Sequence, residues 1–163
     1  MNNIYLIGIL GVGKTTIGKL LAEKTNMKWV DADVMIVEKG KMPISEMFAK
    51  YGEKYFRDLE TEVMREISKM NNLIVSCGGG VILKEENVIL MRNSGTVLWL
   101  QRDIEKVIES VKAENRPLLK DGKEKLYSIF ESRKEKYKNA AHYIIDNNKG
   151  TDITIKEILA YIK

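Results

Sequence analysis

The chain has 163 residues, of which 44% are hydrophobic and 31% charged, with a formal net charge of +4 at pH 7. That is the composition of a single globular domain, 1–163, and it excludes a disordered or low-complexity chain. No apolar run approaches the roughly 20 residues that cross a bilayer, and lysines interleaved with glutamates, as in Lys123-Glu124-Lys125, describe solvated helix faces rather than a nucleic-acid footprint.

The chain opens on Ile4-Tyr5-Leu6-Ile7, an apolar run of strand length, and no cleavable signal is expected before it. Gly8-Ile9-Leu10-Gly11-Val12-Gly13-Lys14-Thr15-Thr16 follows and fills every position of Gly-x-x-x-x-Gly-Lys-Ser/Thr. After it, Ile17, Leu20 and Leu21 recur at helical spacing. Strand, glycine turn and helix together aim successive backbone N–H groups and a helix N-terminus at one anion. The loop 8–16, with Gly11, Val12, Gly13, Lys14, Thr15 and Thr16 at its centre, is therefore expected to bind a nucleoside triphosphate. Lys14 would reach the β- and γ-phosphates and the Thr15 hydroxyl would be a ligand of Mg²⁺.

Further strands are expected at Lys28–Val30, Leu73–Cys77, Thr96–Leu100 and Tyr143–Ile145. Most are apolar almost throughout, which suits a parallel sheet covered on both faces. Between them lie helical stripes: Phe56, Leu59, Val63, Ile67 and Met70, then Ile155, Ile158, Leu159 and Ile162, the latter with Asp152 as a candidate cap. Repeated β-α units with right-handed crossovers give a three-layer α/β/α domain around a five-stranded parallel sheet, with ligands at the carboxyl ends of the strands. The lone cysteine, Cys77, excludes an intramolecular disulfide, reads as a small buried residue and suits a reducing cytoplasm.

Two absences narrow the class. A GTPase would carry Asn-Lys-x-Asp, whereas Asn148-Lys149-Gly150-Thr151 has its aspartate, Asp152, one position late. A usual second nucleotide motif would end an aliphatic strand on Asp, whereas Leu73-Ile74-Val75-Ser76-Cys77 runs into Gly78-Gly79-Gly80. Asp31 and Asp33, after the second strand, can substitute: in extended chain their side chains share one side roughly 7 Å apart. One carboxylate would face the hydration shell of Mg²⁺, and the other an acceptor hydroxyl.

With these residues the chain resembles the shikimate kinase family, P-loop small-molecule kinases related to nucleoside monophosphate kinases. Gly11-x-Gly13-Lys14-Thr15-Thr16-x-Gly18-x-x-Leu21-Ala22 looks like the family's phosphate loop and first helix, and Asp31-x-Asp33 follows at the expected distance. The most specific string is Ile44-x-x-Met47-Phe48-x-x-x-Gly52-Glu53-x-x-Phe56-Arg57-x-x-Glu60; Gly78-Gly79-Gly80, Arg116-Pro117-Leu118-Leu119 and Arg133-x-x-x-Tyr137 complete the set. The resemblance implies a P-loop kinase fold with a mobile lid at about 109–125 and a shikimate-binding region at about 31–60. It implies ATP as co-substrate, Mg²⁺ as cofactor and phosphorylation of the 3-hydroxyl of shikimate, a step toward chorismate and the aromatic amino acids. Arg57 and Arg133 would grip the substrate carboxylate, since a planar guanidinium can donate two parallel hydrogen bonds to it. Arg57 is also positioned for helical ion pairs with Glu53 and Glu60. Asp33 would accept hydrogen bonds from the ring hydroxyls, and Gly79 and Gly80 would let backbone N–H groups approach the substrate. Arg116, on the lid, would bind nucleotide and stabilise charge on the transferred group, making Lys14, Asp33 and Arg116 the catalytic set. Thr15 and, through water, Asp31 would hold the metal.

One position departs from the family, which commonly carries a further arginine about two helical turns before the lid string. Glu109 and Ser110 stand there, so the contacts to adenine are unassigned. Competing readings are a kinase for gluconate or a nucleoside monophosphate, and a homologue that binds nucleotide without turnover. The first would lack the Phe56-Arg57 string and Arg133-x-x-x-Tyr137, or need more phosphate-binding arginines. The second is unsupported, since Lys14, Asp33, Arg57, Arg116 and Arg133 are all present. The expected partners are the two small molecules, with no nucleic acid or membrane, and the expected state is a cytoplasmic monomer.

Overall fold

A computed structural model describes residues 2–113 and 122–162. Five parallel strands, β1 (Asn3–Ile7), β2 (Lys28–Asp31), β3 (Leu73–Ser76), β4 (Gly95–Gln101) and β5 (Tyr143–Asp146), form one sheet in the order β2-β3-β1-β4-β5. Each lies where an aliphatic run was expected. The central strands are apolar because both of their faces are covered: Tyr5, Leu6, Ile7, Ile74, Val75, Val97, Leu98 and Leu100 have no exposed surface.

The connections are helical: α1 (Lys14–Thr25), α2 (Ala32–Gly40), α3 (Ile44–Ser68), α4 (Glu85–Ser94), α5 (Ile104–Ala113), α6 (Gly122–Ala140) and α7 (Thr151–Tyr161). The α3 stripe buries Phe56, Val63 and Ile67 and half-buries Leu59, but Met70 lies beyond the helix and is 44% exposed. The helical stripe ends at Ile67, because the chain turns there to enter β3. Gly52 interrupts α3 with φ 83°, dividing it into a short arm and a longer shaft. The α7 stripe is as expected, with Ile155 and Ile158 buried. Its cap is not: Gly150 occupies the N-cap without a side-chain bond, and Asp152 sits in the first turn. There it complements the helix dipole instead. No helix among the described residues is long and apolar enough to cross a membrane.

Asn3 is the polar fastener of this core. Its side chain is fully buried, donates to the carbonyls of Ile67 and Met70 at 3.0 and 3.1 Å, and accepts from the Leu73 amide at 3.1 Å. It therefore ties the start of β1 to the end of α3 and the entry to β3. Asn3→Ala leaves those buried groups unsatisfied, so urea unfolding should show a loss of about 2–4 kcal/mol; a loss under about 0.5 kcal/mol would contradict this role.

Candidate active site

The phosphate loop leaves β1 and enters α1. Gly13 stands at the helix N-cap with φ 104°, and no side chain caps the first turn, which leaves its N–H groups for an incoming anion. The Lys14 ammonium folds back onto the carbonyls of Gly8 and Ile9, the latter at 3.2 Å. Two distant residues brace the loop. Asn147, after β5, donates to the Val12 carbonyl at 2.8 Å and is itself held by the Thr154 hydroxyl at 2.7 Å. Ser76, the last residue of β3, donates to the Lys14 carbonyl at 2.7 Å and accepts from the Trp29 indole at 2.9 Å.

The loop forms one wall of a cavity of about 430 Å³ lined by Gly11, Gly13, Lys14, Thr15, Thr16, Asp31, Asp33 and Gly78–Gly79, with Arg102 and Ser110 on its far side. A smaller cavity of about 200 Å³ adjoins it, lined by Ile44, Phe48, Phe56, Arg57, Glu60 and Gly80. Asp33, Gly78 and Gly79 line both. The site thus consists of two compartments that meet at one carboxylate.

The two aspartates meet the cavity by a different route from the extended pairing expected. The strand ends at Asp31, which becomes the N-cap of α2: its Oδ1 accepts from the amides of Asp33 at 2.8 Å and Val34 at 3.2 Å. Asp33 is already in the first helical turn. Aspartate is a strong N-cap because its short side chain satisfies the orphan N–H groups, and here that preference ends the strand. Asp33 Oδ1 is buried without a hydrogen-bond partner. Burial and the neighbouring Asp31 push the Asp33 pKa up, against the pull of Lys14 and Arg57.

The glycine triplet serves the three charged groups that converge on it. A methyl group on Gly78 would sit 2.7 Å from Asp33 Oδ1, and one on Gly80 would sit 2.4 to 2.6 Å from the Arg57 guanidinium. At Gly79 the nearest neighbours would be the Arg133 guanidinium and the Gly8 carbonyl, both at an ordinary 3.6 Å. The sequence singled out Gly79 and Gly80 for approach to substrate; the tight fits are at Gly78 and Gly80, and both are to the protein's own side chains.

Arg57 and Arg133 are brought together over this turn. Arg57 donates to the buried Glu60 at 3.0 Å and to the exposed Glu53 at 3.2 Å, with its guanidinium 5.0 Å from the Phe56 ring centre. Both helical ion pairs are present, and neither turns the guanidinium out of the cavity. Burial raises the Glu60 pKa, while Arg57 and Arg133 lower it. Tyr137, one turn after Arg133, is fully buried and donates its hydroxyl to the Gly79 carbonyl. Burial takes its pKa up to about 12, so it stays a donor at neutral pH. Cys77 lines the large cavity but is buried, and desolvation drives its pKa far above the ordinary thiol value, so it is inert. Arg116 and the rest of the lid string lie outside the described residues.

Several of these groups escaped the sequence reading. Ser76 and Arg102 carry no local signature, and Gly78, Asn147 and Ser110, though on segments the sequence points to, take their contacts from tertiary proximity. A phosphate loop beside paired carboxylates, joined to a small compartment lined by an arginine, is the site of a P-loop phosphotransferase acting on a small anionic acceptor.

Known proteins agree. A family model described as shikimate kinase matches residues 10–163. Shikimate kinase of Sulfurihydrogenibium sp. is 43% identical over 164 residues, covering 100% of this chain and 99% of that one. Its counterpart in Clostridium botulinum (strain Eklund 17B / Type B) is 41% identical over 157 residues, or 96% of this chain and 94% of that protein. Among solved structures, shikimate kinase from Acinetobacter baumannii in complex with shikimate superposes with a TM-score of 0.92 at 34% identity, covering 99% of this chain and 93% of that one. The chain belongs to the shikimate kinase family.

The fit at Gly80 gives a test that spares the fold. Gly80→Ala need only displace the flexible end of Arg57. The variant should fold normally, yet lose about tenfold or more in kcat/KM for shikimate while its KM for ATP stays within about twofold. An unchanged shikimate KM would show that the guanidinium can move without consequence.

Proposed function

We propose that the chain, acting as a single kinase domain, transfers the γ-phosphoryl group of ATP to the 3-hydroxyl of shikimate. The observation that carries this reading is the position of Asp33, shared by the phosphate cavity and the compartment that Arg57 lines. An acceptor whose carboxylate meets Arg57 and Arg133 would have its ring hydroxyls near Asp33. That compartment, walled by Ile44, Phe48 and Phe56, suits a small carbocyclic acid better than a nucleotide base with its phosphates.

In the reaction the acceptor oxygen forms a bond to the γ-phosphorus as the bridging bond to ADP breaks, with overall release of the hydroxyl proton. Asp33 accepts the hydrogen bond of the attacking hydroxyl and orients it in line. Its unpaired buried oxygen and raised pKa mark it as a group that gains from a donor at this point. Lys14 leaves the loop carbonyls for the β- and γ-phosphates, while the loop amides of Gly11, Val12, Gly13, Thr15 and Thr16 hold the triphosphate. Arg116 adds positive charge to the transferred group. The Thr15 hydroxyl and the Asp31 carboxylate line the same cavity and are oxygen donors of the kind Mg²⁺ prefers, Asp31 acting through water. When bound there, Mg²⁺ neutralises phosphate charge. The backbone of Gly79 and Gly80 closes the floor under the acceptor. The modest, interspersed charge supports small-molecule substrates rather than a nucleic-acid partner.

A coupled assay of ADP release should respond to shikimate and not to gluconate or AMP; silence toward millimolar shikimate would defeat the reading. In the same assay Arg57→Ala should raise the shikimate KM by about tenfold or more and the ATP KM little. Equal effects on both would move Arg57 away from the acceptor.

Asp33 gives a prediction of opposite signs. Its folded pKa lies above the unfolded value, so its favourable contribution to stability is complete below the unfolded pKa and is lost as pH rises through the folded one. Asp33→Asn cannot ionise, so at pH 7 it should be at least as thermostable as the parent, with the difference vanishing below the normal carboxylate range. Its kcat should nevertheless fall by about 100-fold or more. A variant clearly less stable at pH 7 would show that the buried carboxylate is a structural asset.

A further inference from the structure

The sheet order fixes which way a nucleotide must lie. Asp33 and the glycine triplet follow β2 and β3, on one side of β1 and its phosphate loop. The phosphoryl group to be transferred has to face that side. The remainder of the nucleotide therefore extends the other way, over the carboxyl end of β4. Two residues line the cavity there: Arg102, the first residue after β4, and Ser110 on α5.

Arg102 is arranged for a ligand rather than for the fold. Its Nη1 donates to the Ser110 hydroxyl at 2.7 Å, while its Nε is buried without a hydrogen-bond partner. Among the described residues the ion pairs form elsewhere, so no carboxylate there neutralises this guanidinium. Ser110 is in turn well anchored. On the same helix Val107 and Val111 press on the phosphate loop so closely that a methyl group on Gly11 would lie 2.9 and 3.2 Å from them. A guanidinium that lines a phosphate cavity, is tethered at one nitrogen and has no counter-charge among the described residues has the chemistry of an anion-binding group.

We propose that Arg102, held by Ser110, is a nucleotide-binding residue that donates to the α-phosphate end of ATP and ADP. The proposal rests on the phosphotransfer reading above for the direction in which the nucleotide lies. Ser110 is a positioning residue: it touches Arg102 and fixes the approach of the guanidinium. Arg102 thereby adds nucleotide affinity on the side of the cavity opposite the acceptor and leaves acceptor binding alone.

Calorimetric titration of the full chain with ADP, and separately with shikimate, tests this. Arg102→Ala should weaken ADP by about tenfold or more, and Ser110→Ala by roughly threefold, with shikimate affinity within about twofold of the parent in both. Arg102→Lys should also weaken ADP several-fold, because one ammonium cannot hold Ser110 and reach a phosphate as a forked guanidinium does. ADP affinity within about twofold of the parent in folded Arg102→Ala overturns the proposal, as does equal weakening of ADP and shikimate. If the alanine variant does not fold, unchanged ADP affinity in Arg102→Lys overturns it equally. A parent protein that binds ADP in an Arg102-dependent way yet fails to phosphorylate shikimate upholds Arg102 and overturns the acceptor assignment instead.

Discussion

Three charged side chains from three separate helices are held against one glycine turn, and the site depends on that convergence. Asp33, Arg57 and Arg133 come from α2, α3 and α6, and each faces one member of Gly78–Gly80. Taken singly, each would be costly to bury. Together, with Glu60 beneath Arg57 and Lys14 across the cavity, they form an alternating array in which every carboxylate has a cation near it. Removing one partner of the buried Arg57–Glu60 pair costs more than the pair itself contributes, because the remaining charge has lost its compensation. Glu60 is the member that no ligand need touch; it holds Arg57 against the turn whether or not an acceptor is bound.

The parallel sheet makes the convergence possible. All five strands point their carboxyl ends to one edge, so the phosphate loop, the aspartate pair, the triplet and Arg102 collect there. Ser76 and Asn147 lock the edge together, tying the neighbouring β3 and the more distant β5 to the phosphate loop. The loop is thus braced from both flanks by side chains from other units.

What could be read from the chain, and what could not, follows from the range of the forces involved. The phosphate loop and five strands were legible because a positive φ demands glycine locally and a doubly covered strand demands an unbroken apolar run. Arg57, Glu60, Arg133 and Tyr137 were legible only through family resemblance, since a lone arginine on a helix is by default a surface residue. The bracing bonds of Ser76 and Asn147 were invisible: their partners lie 62 and 135 residues away. The Asp31–Asp33 geometry was misjudged for a local reason, because the capping preference of Asp31 bends the chain into a helix two residues before the pairing could form. Asp152 was misread in the opposite sense, as a cap where glycine already starts the helix. Met70 continued a numerical period after the backbone had left it.

The break at Gly52 gives the acceptor compartment two walls of different origin. Ile44 and Phe48 belong to the arm before the break, whereas Phe56, Arg57 and Glu60 belong to the shaft after it, and a methyl group at Gly52 would meet nothing within 4 Å. Contour is therefore set by one piece of chain and ionic recognition by another, with a single uncrowded joint between them. Lineages could remodel the first for a bulkier or slimmer ring and retain the second, so that a preference for acids would outlast a change in which acid is taken.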